Sequence, residues 1–112
     1  MSRRDPRLAF RHMLDHAKEA LALAEGRERR DFEQDRRFFL ALTRLMEIVG
    51  EAANRVPPVV RDEHPSIHWR GTIGLRNRLS HGYDDIDVDL VWRIVRSELP
   101  ELIDELEKIL SG

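Results

Sequence analysis

One short stretch of the sequence carries side chains that could act on a phosphodiester. Arg76, His81 and Tyr83 stand close together, with four residues between the first two and one between the last two. Arginine is a permanent cation, histidine titrates near neutral pH, and Tyr83 is the only phenol of the chain. An acid–base group beside a fixed positive charge can assist the attack of a 2′-hydroxyl on phosphorus, or protonate the leaving oxygen. These residue types indicate metal-independent RNA cleavage as a candidate chemistry.

Helix geometry limits how these side chains can meet. Residues five apart lie about 140° apart around an ideal helix, so Arg76 and His81 do not share a face. They can converge if the helix ends near His81, where Gly82 would be the cap, or if a second copy of the chain supplies the other half. The spacing fits a structural role as well, in which His81 caps the helix and Arg76 pairs with Asp84 or Asp85.

The composition is that of a small, highly charged domain. The 112 residues include 19 Lys and Arg, 21 Asp and Glu, and no cysteine, which excludes disulfides, thiolate metal sites and a thiol nucleophile. Residues 1–83 hold 16 basic and 12 acidic side chains, a balance of +4, whereas residues 84–112 hold 3 and 9, a balance of −6. A GC-rich genome would explain the general excess of arginine, but a local basic window before an acidic segment fits a polyanion site. No apolar run approaches about 20 residues, so we expect a single cytoplasmic domain over residues 1–112.

The spacing of apolar residues predicts an all-α protein, an antiparallel bundle of four long helices and a short one. The long helices are expected from Pro6 to about Gly26, from Asp31 or Phe32 to Arg55, from Trp69 to Ser80 or His81, and from Asp87 to the end, with a short turn between Val59 and His64. Gly50 is expected to allow a close helix crossing, and Pro100 to kink or restart the last helix.

The segment from Arg76 to Tyr83 resembles the Arg-x4-His-x-Tyr motif of HepT toxins, which belong to the HEPN superfamily. Further blocks resemble the same family in the same order. They are Ile48–Ala53 in the second helix, His64–Arg70 and Ile73–Leu75 before the motif, and Asp84–Asp87, Val91–Val95 and Leu99–Pro100 after it. The likeness covers about residues 5–110, which is nearly the whole chain.

The resemblance implies a homodimer in which two Arg–His pairs face one cleft. It implies a ribonuclease toxin of a type VII toxin–antitoxin system that needs neither a metal nor a cofactor of its own. Arg76 would stabilise the phosphorane and His81 would be the acid–base group. In the family, the antitoxin is a nucleotidyltransferase of the MntA type, which uses ATP to attach AMP to the motif tyrosine. Here that residue is Tyr83.

Three further residues are candidates for supporting roles at the site. Asn77 lies four residues before His81, so the two share a helical face, and its amide could bond to the site or only to the helix end. Arg78 belongs to the basic window. Glu51 could be a surface residue, or a buried carboxylate that orients Arg76 or an arginine of a second subunit.

Histidine pairs and tryptophans offer weaker candidates. His12 and His16 have an acceptable spacing for a metal, but no third ligand accompanies them, so we expect a solvent-facing pair. His64 and His68 are expected to be structural or to lie at the rim of the site. The two tryptophans, Trp69 and Trp92, are expected to make core or dimer contacts because both lie in apolar helical stretches.

The same residues would also suit a non-catalytic helical subunit that presents substrate to a nucleotidyltransferase. The arginines would then hold a nucleotide or an acidic partner, and His81 would have no proton to move. Toxicity in the absence of the partner separates the two hypotheses.

Overall fold

The computed structural model describes residues 5–79 and 87–112, and the regular structure in both stretches is helical. The elements before the gap are α1 (Pro6–Ala24), α2 (Asp31–Gln34), α3 (Arg36–Asn54), α4 (Pro58–Asp62), α5 (Trp69–Ile73) and α6 (Leu75–Leu79). After the gap come α7 (Val88–Arg93), a π-helical turn (Ile94–Glu98) and α8 (Leu99–Ser111). The described residues form no strand, so the all-α prediction is confirmed. None of these helices is long and apolar enough to cross a membrane.

The first helix begins at the residue that its sequence predicts and ends at Ala24, two residues before Gly26, its predicted stop. The side chain of Asp5 accepts a hydrogen bond of 2.9 Å from the backbone N–H of Arg7, which makes Asp5 the N-cap. Pro6 occupies the first helical position, where its missing N–H costs nothing. Gly26 follows the helix with a φ of 76°, a left-handed conformation that glycine adopts without strain.

The core lies where α1 packs against α3 on one side and α8 on the other. The helices α1 and α3 are antiparallel, because Arg55 after α3 contacts His12 in the first half of α1, whereas Arg27 after α1 pairs with Asp35 before α3. Burying one large apolar side chain stabilises a fold by roughly 1.5–3 kcal/mol. The largest side chains that are almost completely buried are Met13, Leu42, Met46, Val49, Val56, Leu79, Val91, Ile94, Leu99 and Leu106.

The long second helix starts later than predicted. The sequence predicts one helix from Asp31 or Phe32, but α2 is a single turn and Asp35 is extended, with φ −120° and ψ 91°. The carboxylate of Asp35 accepts from the N–H of Phe38 at 3.1 Å and caps α3. That hydrogen bond, followed by the one from Arg27, holds the pKa of Asp35 below its usual value. An aspartate inside an apparently continuous pattern therefore ends one helix and begins the next.

The prediction of one continuous helix from Trp69 to Ser80 or His81 is wrong for the part that the structure describes. Gly74 separates α5 from α6, and its N–H donates to the carbonyl of Arg70 at 3.0 Å. The predicted end of this helix at Ser80 or His81, with Gly82 as its cap, lies outside the described residues.

Helix α3 crosses this region at Gly50, as predicted. A Cβ on Gly50 would stand 2.8 Å from the carbonyl oxygen of Thr72 and 3.4 Å from the Cβ of Leu75. No real Cβ packs at 2.8 Å against a backbone oxygen, so only glycine lets α3 approach α5 and α6 this closely. The crossing therefore fixes the position of α5 and α6, which precede His81 in the sequence.

The last helix restarts just before Pro100, as the sequence predicts. Asp87 caps α7 by accepting from the N–H groups of Asp89 and Leu90 at 3.0 and 3.2 Å. The N–H of Leu99 donates to the carbonyl of Ile94, five residues earlier, which is the bonding of a π-helical turn. Proline has no N–H, and its ring clashes with the carbonyl four residues before it in a regular α-helix. The wider turn accommodates Pro100 without a loop.

Candidate active site

Helix α6 presents the arginine of the motif on its solvent side. Leu75 and Leu79 are four residues apart and almost completely buried, so they fix one face of the helix against the core. Arg76 and Asn77 lie on the other face and are exposed. A guanidinium in this position is accessible to a large polyanionic substrate. The rest of the predicted site, His81 and Tyr83, lies outside the described residues, as do Asp84 and Asp85.

Arg78 points in a different direction and is engaged by an acid. Its two terminal nitrogens donate to the two carboxylate oxygens of Glu98, each at 2.8 Å, and one of them also donates to the carbonyl of Gly71 at 3.3 Å. The hydrogen bonds from Arg78 lower the pKa of Glu98, and the same bonds raise the pKa of Arg78. Both groups are charged at neutral pH and form an ion pair. Arg78 therefore connects α6 to the C-terminal segment and is not available to a substrate as Arg76 is.

Glu51 is a surface residue, which is the first of the two alternatives that its sequence left open. Its side chain is 43% exposed, and it accepts a hydrogen bond of 3.1 Å from Arg44 on the same helix. Arg44 also lies 3.5 Å from Glu47. Within the described residues of this single chain, the carboxylate of Glu51 is therefore directed along α3 to Arg44 and is not buried beside Arg76.

A groove of about 820 Å³ lies between α5–α6 and the C-terminal helices. Its floor is apolar and includes Leu75, Ile94 and Leu99. Four acidic side chains line it, namely Glu98, Glu101, Asp104 and Glu105, together with three cations, Arg70, Arg78 and Lys108. Because carboxylates are at least as numerous as cations here, and Glu98 is paired with Arg78, the groove is not a basic channel of the kind that binds a phosphate backbone.

Three of the four histidines in these pairs contact other residues of the described chain, and the fourth, His68, is exposed and lines the groove. A ring nitrogen of His16 bonds to the carbonyl oxygen of His12 at 2.7 Å, and the guanidinium of Arg55 lies 3.3 Å from the other ring. Residues 5–79 and 87–112 contain no group of three His, Asp or Glu side chains that could hold a metal ion. The ring of His64 packs edge-on against Phe10, with centroids 5.4 Å apart.

Both tryptophans pack against the core, as predicted. The indole N–H of Trp69 donates to the carbonyl of His64 at 3.0 Å, and its ring lies 6.0 Å from that of Phe10. Trp92 packs edge-on against Phe32, with centroids 5.6 Å apart.

Glu98 is the residue of this region that the sequence did not reveal. It precedes Leu99-Pro100 in an amphipathic segment, where a glutamate usually faces solvent. Its pairing with Arg78 joins residues 20 positions apart, and no local pattern encodes it.

Comparison with known proteins places this chain in a family. The family described as "Ribonuclease HepT-like" matches residues 13–109. A protein of Methanocaldococcus jannaschii named "Putative RNase MJ1380" is 31% identical over 107 residues, which cover 96% of this chain and 98% of that protein. The protein named "Probable ribonuclease HepT" of Thermococcus cleftensis is 34% identical over 100 residues, which cover 86% of this chain and 91% of that protein. No solved structure matches the chain significantly.

Proposed function

The chain belongs to the HepT-like ribonuclease family, and from that premise we propose that it is the toxin of a type VII toxin–antitoxin system, a metal-independent endoribonuclease. One observation carries the proposal. The family match over residues 13–109 includes the segment 76–83, in which the arginine, histidine and tyrosine of the motif are all present. The exposure of Arg76 on a helix anchored by two buried leucines supports it.

Arg76 and His81 would divide the work of cleavage. A base takes the proton of the 2′-hydroxyl as its oxygen bonds to phosphorus, and an acid gives a proton to the 5′-oxygen as the bond to phosphorus breaks. His81 is the acid–base group in this scheme. Arg76 stabilises the negative charge that accumulates on the phosphoryl oxygens, as arginine does at other phosphoryl centres. In a homodimer, two such pairs would face one cleft.

The neutralising partner in this proposal is a nucleotidyltransferase of the MntA type. It would transfer AMP from ATP to the phenol oxygen of Tyr83, with pyrophosphate as the leaving group. The added phosphate would place a negative charge two residues from His81, where it would compete with RNA for the cations of the site. ATP is consumed by the partner, so the toxin needs no cofactor for its own reaction.

The proposal is tested by incubating the purified chain with total RNA in EDTA and sequencing the RNA ends. We expect cleavage by the wild type, a loss of about 10²–10⁴-fold in His81→Ala and a loss of about 10²–10³-fold in Arg76→Ala. Arg11→Ala removes an exposed arginine of α1 and serves as the matched control. Cleavage that required a divalent metal and survived His81→Ala would reject the mechanism. If the chain is harmless in cells and leaves RNA intact, it is a non-catalytic binding subunit instead.

A further inference from the structure

The helix that carries Arg76 is too short to hold its own orientation. Helix α6 contains five residues, from Leu75 to Leu79, and isolated helices of that length are not stable in water. The burial of Leu75 and Leu79 fixes its distance from the core, but apolar contacts on one face are not directional and restrain rotation about the line that joins them only weakly. A directional contact to one side would remove that freedom.

The paired charges of Arg78 and Glu98 supply such a contact. The fork of the guanidinium meets both carboxylate oxygens at 2.8 Å, which fixes the relative orientation of the two planar groups as well as their distance. A further bond of 3.3 Å from Arg78 to the carbonyl of Gly71 includes α5 in the same arrangement. The two side chains are only 27% and 40% exposed, so water competes less for them than for the surface pairs elsewhere in the chain.

Glu98 is held in place by the unusual turn that precedes α8. It is the last residue of the π-helical stretch Ile94–Glu98. The first residue of that stretch, Ile94, and the residue after it, Leu99, are both almost completely buried, so they attach the turn to the core. Single π-turns inserted in α-helices occur frequently at functional sites. Arg93 lies 3.9 Å from the same carboxylate but is 66% exposed, so the close contact belongs to Arg78.

We propose that Glu98 is a positioning residue of the ribonuclease site, which orients Arg76 by holding Arg78 on the same helix. The inference rests on the proposed function, because orientation of Arg76 matters only if Arg76 acts on the substrate. Arg76 and Arg78 are two residues apart and point to different sides of α6, so Glu98 acts only through the arginine fork. A misplaced cation loses stabilisation of the transition state more than it loses substrate binding, so kcat should fall while KM changes little.

The test measures kcat and KM of RNA cleavage for Glu98→Ala and Glu98→Gln. We expect kcat to fall about 10- to 100-fold in Glu98→Ala, less in Glu98→Gln, and KM to stay within about 2-fold in both. Arg78→Lys keeps the charge but lacks the fork, so it should reproduce the loss. Glu101→Gln is the matched control, since it removes a carboxylate from the same groove and should leave both constants unchanged. Thermal unfolding of each variant confirms that it is folded at the assay temperature.

Two comparisons distinguish positioning from a general structural role. In the Arg76→Ala background, Glu98→Ala should lower the residual rate by less than 2-fold, because its effect passes through Arg76. The charge exchange Arg78→Glu with Glu98→Arg should recover activity relative to either single change. Equal losses in both backgrounds, no loss in Glu98→Ala, or an equal loss in Glu101→Gln would overturn the inference while leaving the proposed function intact. A wild-type chain that does not cleave RNA would instead reject the proposed function, and the inference with it.

Discussion

At the scale of single residues, two arginines of the same short helix have different environments. Arg76 is exposed on α6, whereas Arg78, two residues later, is partly buried and bound through both terminal nitrogens to Glu98. A helix turns by about 100° per residue, so positions two apart point to different sides. The motif segment therefore contains one cation that can meet a substrate and one that is neutralised by the protein.

The phenol of Tyr83 gives a residue-scale prediction. Incubation with ATP and the cognate nucleotidyltransferase should add AMP to Tyr83 and abolish RNA cleavage, which mass spectrometry of peptides and an RNA assay measure together. Tyr83→Phe should still cleave RNA but should resist neutralisation, because it has no oxygen to accept the nucleotide. A fully neutralised toxin with an unmodified Tyr83 would contradict this prediction.

The candidate site could be predicted from the sequence only in part. The segment Arg76–Tyr83 is visible because its residues are close in the chain, and the family likeness gives their roles. The environment of Glu51 could not be predicted, because an acid in an apolar part of a helix can be exposed or buried beside a cation. The structure places it at the surface, where it accepts a hydrogen bond from Arg44 of the same helix. The pairing of Glu98 with Arg78 joins residues 20 positions apart, and Glu98 lies in a π-turn that helix propensities do not encode.

At the scale of elements, the crossing of α3 with α5 and α6 controls where Arg76 lies. The space beside Gly50 is closed by the backbone of Thr72 and the side chain of Leu75, which a Cβ at this position would meet at 2.8 and 3.4 Å. A backbone carbonyl cannot rotate away as a side chain would, so any added atom must move α5 and α6 as a unit. Arg76 follows Leu75 directly and would move with them.

We therefore expect Gly50→Ala to destabilise the protein and to lower its activity. The added methyl group raises intrinsic helix propensity by roughly 1 kcal/mol, but overpacking at this contact costs roughly 1–3 kcal/mol. Chemical denaturation measures the net change in the free energy of unfolding. Ala41→Gly, at an exposed site in the same helix, reports the propensity effect alone and should destabilise by roughly 1 kcal/mol. A Gly50→Ala protein that is more stable and fully active would show that the crossing yields easily.

Helix limits were predictable where their signals are local. The Asp5-Pro6 start of α1, the Asp87 cap of α7 and the restart before Pro100 each depend on one or two neighbouring residues. The breaks at Asp35 and Gly74 were not predicted, because the apolar period continues across both. At Asp35 the side chain competes for backbone N–H groups, and Gly74 lies beside the crossing with α3.

At the scale of the whole molecule, the acidic and basic side chains divide the chain into unlike parts. Four carboxylates line the groove beside the C-terminal helices, whereas the segment from Trp69 to Leu79 contains Arg70, Arg76 and Arg78 and no acid. Arg70 and Arg78 also line the groove and stand among its carboxylates, whereas Arg76 lies outside it, so a polyanion is attracted most to the side of α6 that carries Arg76. RNA in a dimer would therefore be expected along the exposed side of α6, away from the groove.

Mixed dimers test whether the proposed site is shared between subunits. If Arg76 of one subunit acts with His81 of the other, a dimer of one Arg76→Ala chain and one His81→Ala chain has one intact pair. Co-refolding the two inactive variants should then recover about a quarter of wild-type activity, because about half of the dimers are mixed and each has one intact pair. Pairs formed within a single subunit would give no recovery, and a chain that sediments as a monomer would exclude a site shared between subunits.

The π-helical turn has a consequence for how relatives of this chain are aligned. A relative with one residue fewer between Ile94 and Glu98 could form an ordinary α-helix there and keep the apolar positions of both flanking helices in register. Its alignment would show a single gap and an otherwise undisturbed core. Such a chain would have one fewer side chain in the turn that meets Arg78. A one-residue gap at this point would therefore mark relatives that lack the π-turn and present the carboxylate opposite the arginine of α6 from an ordinary α-helix.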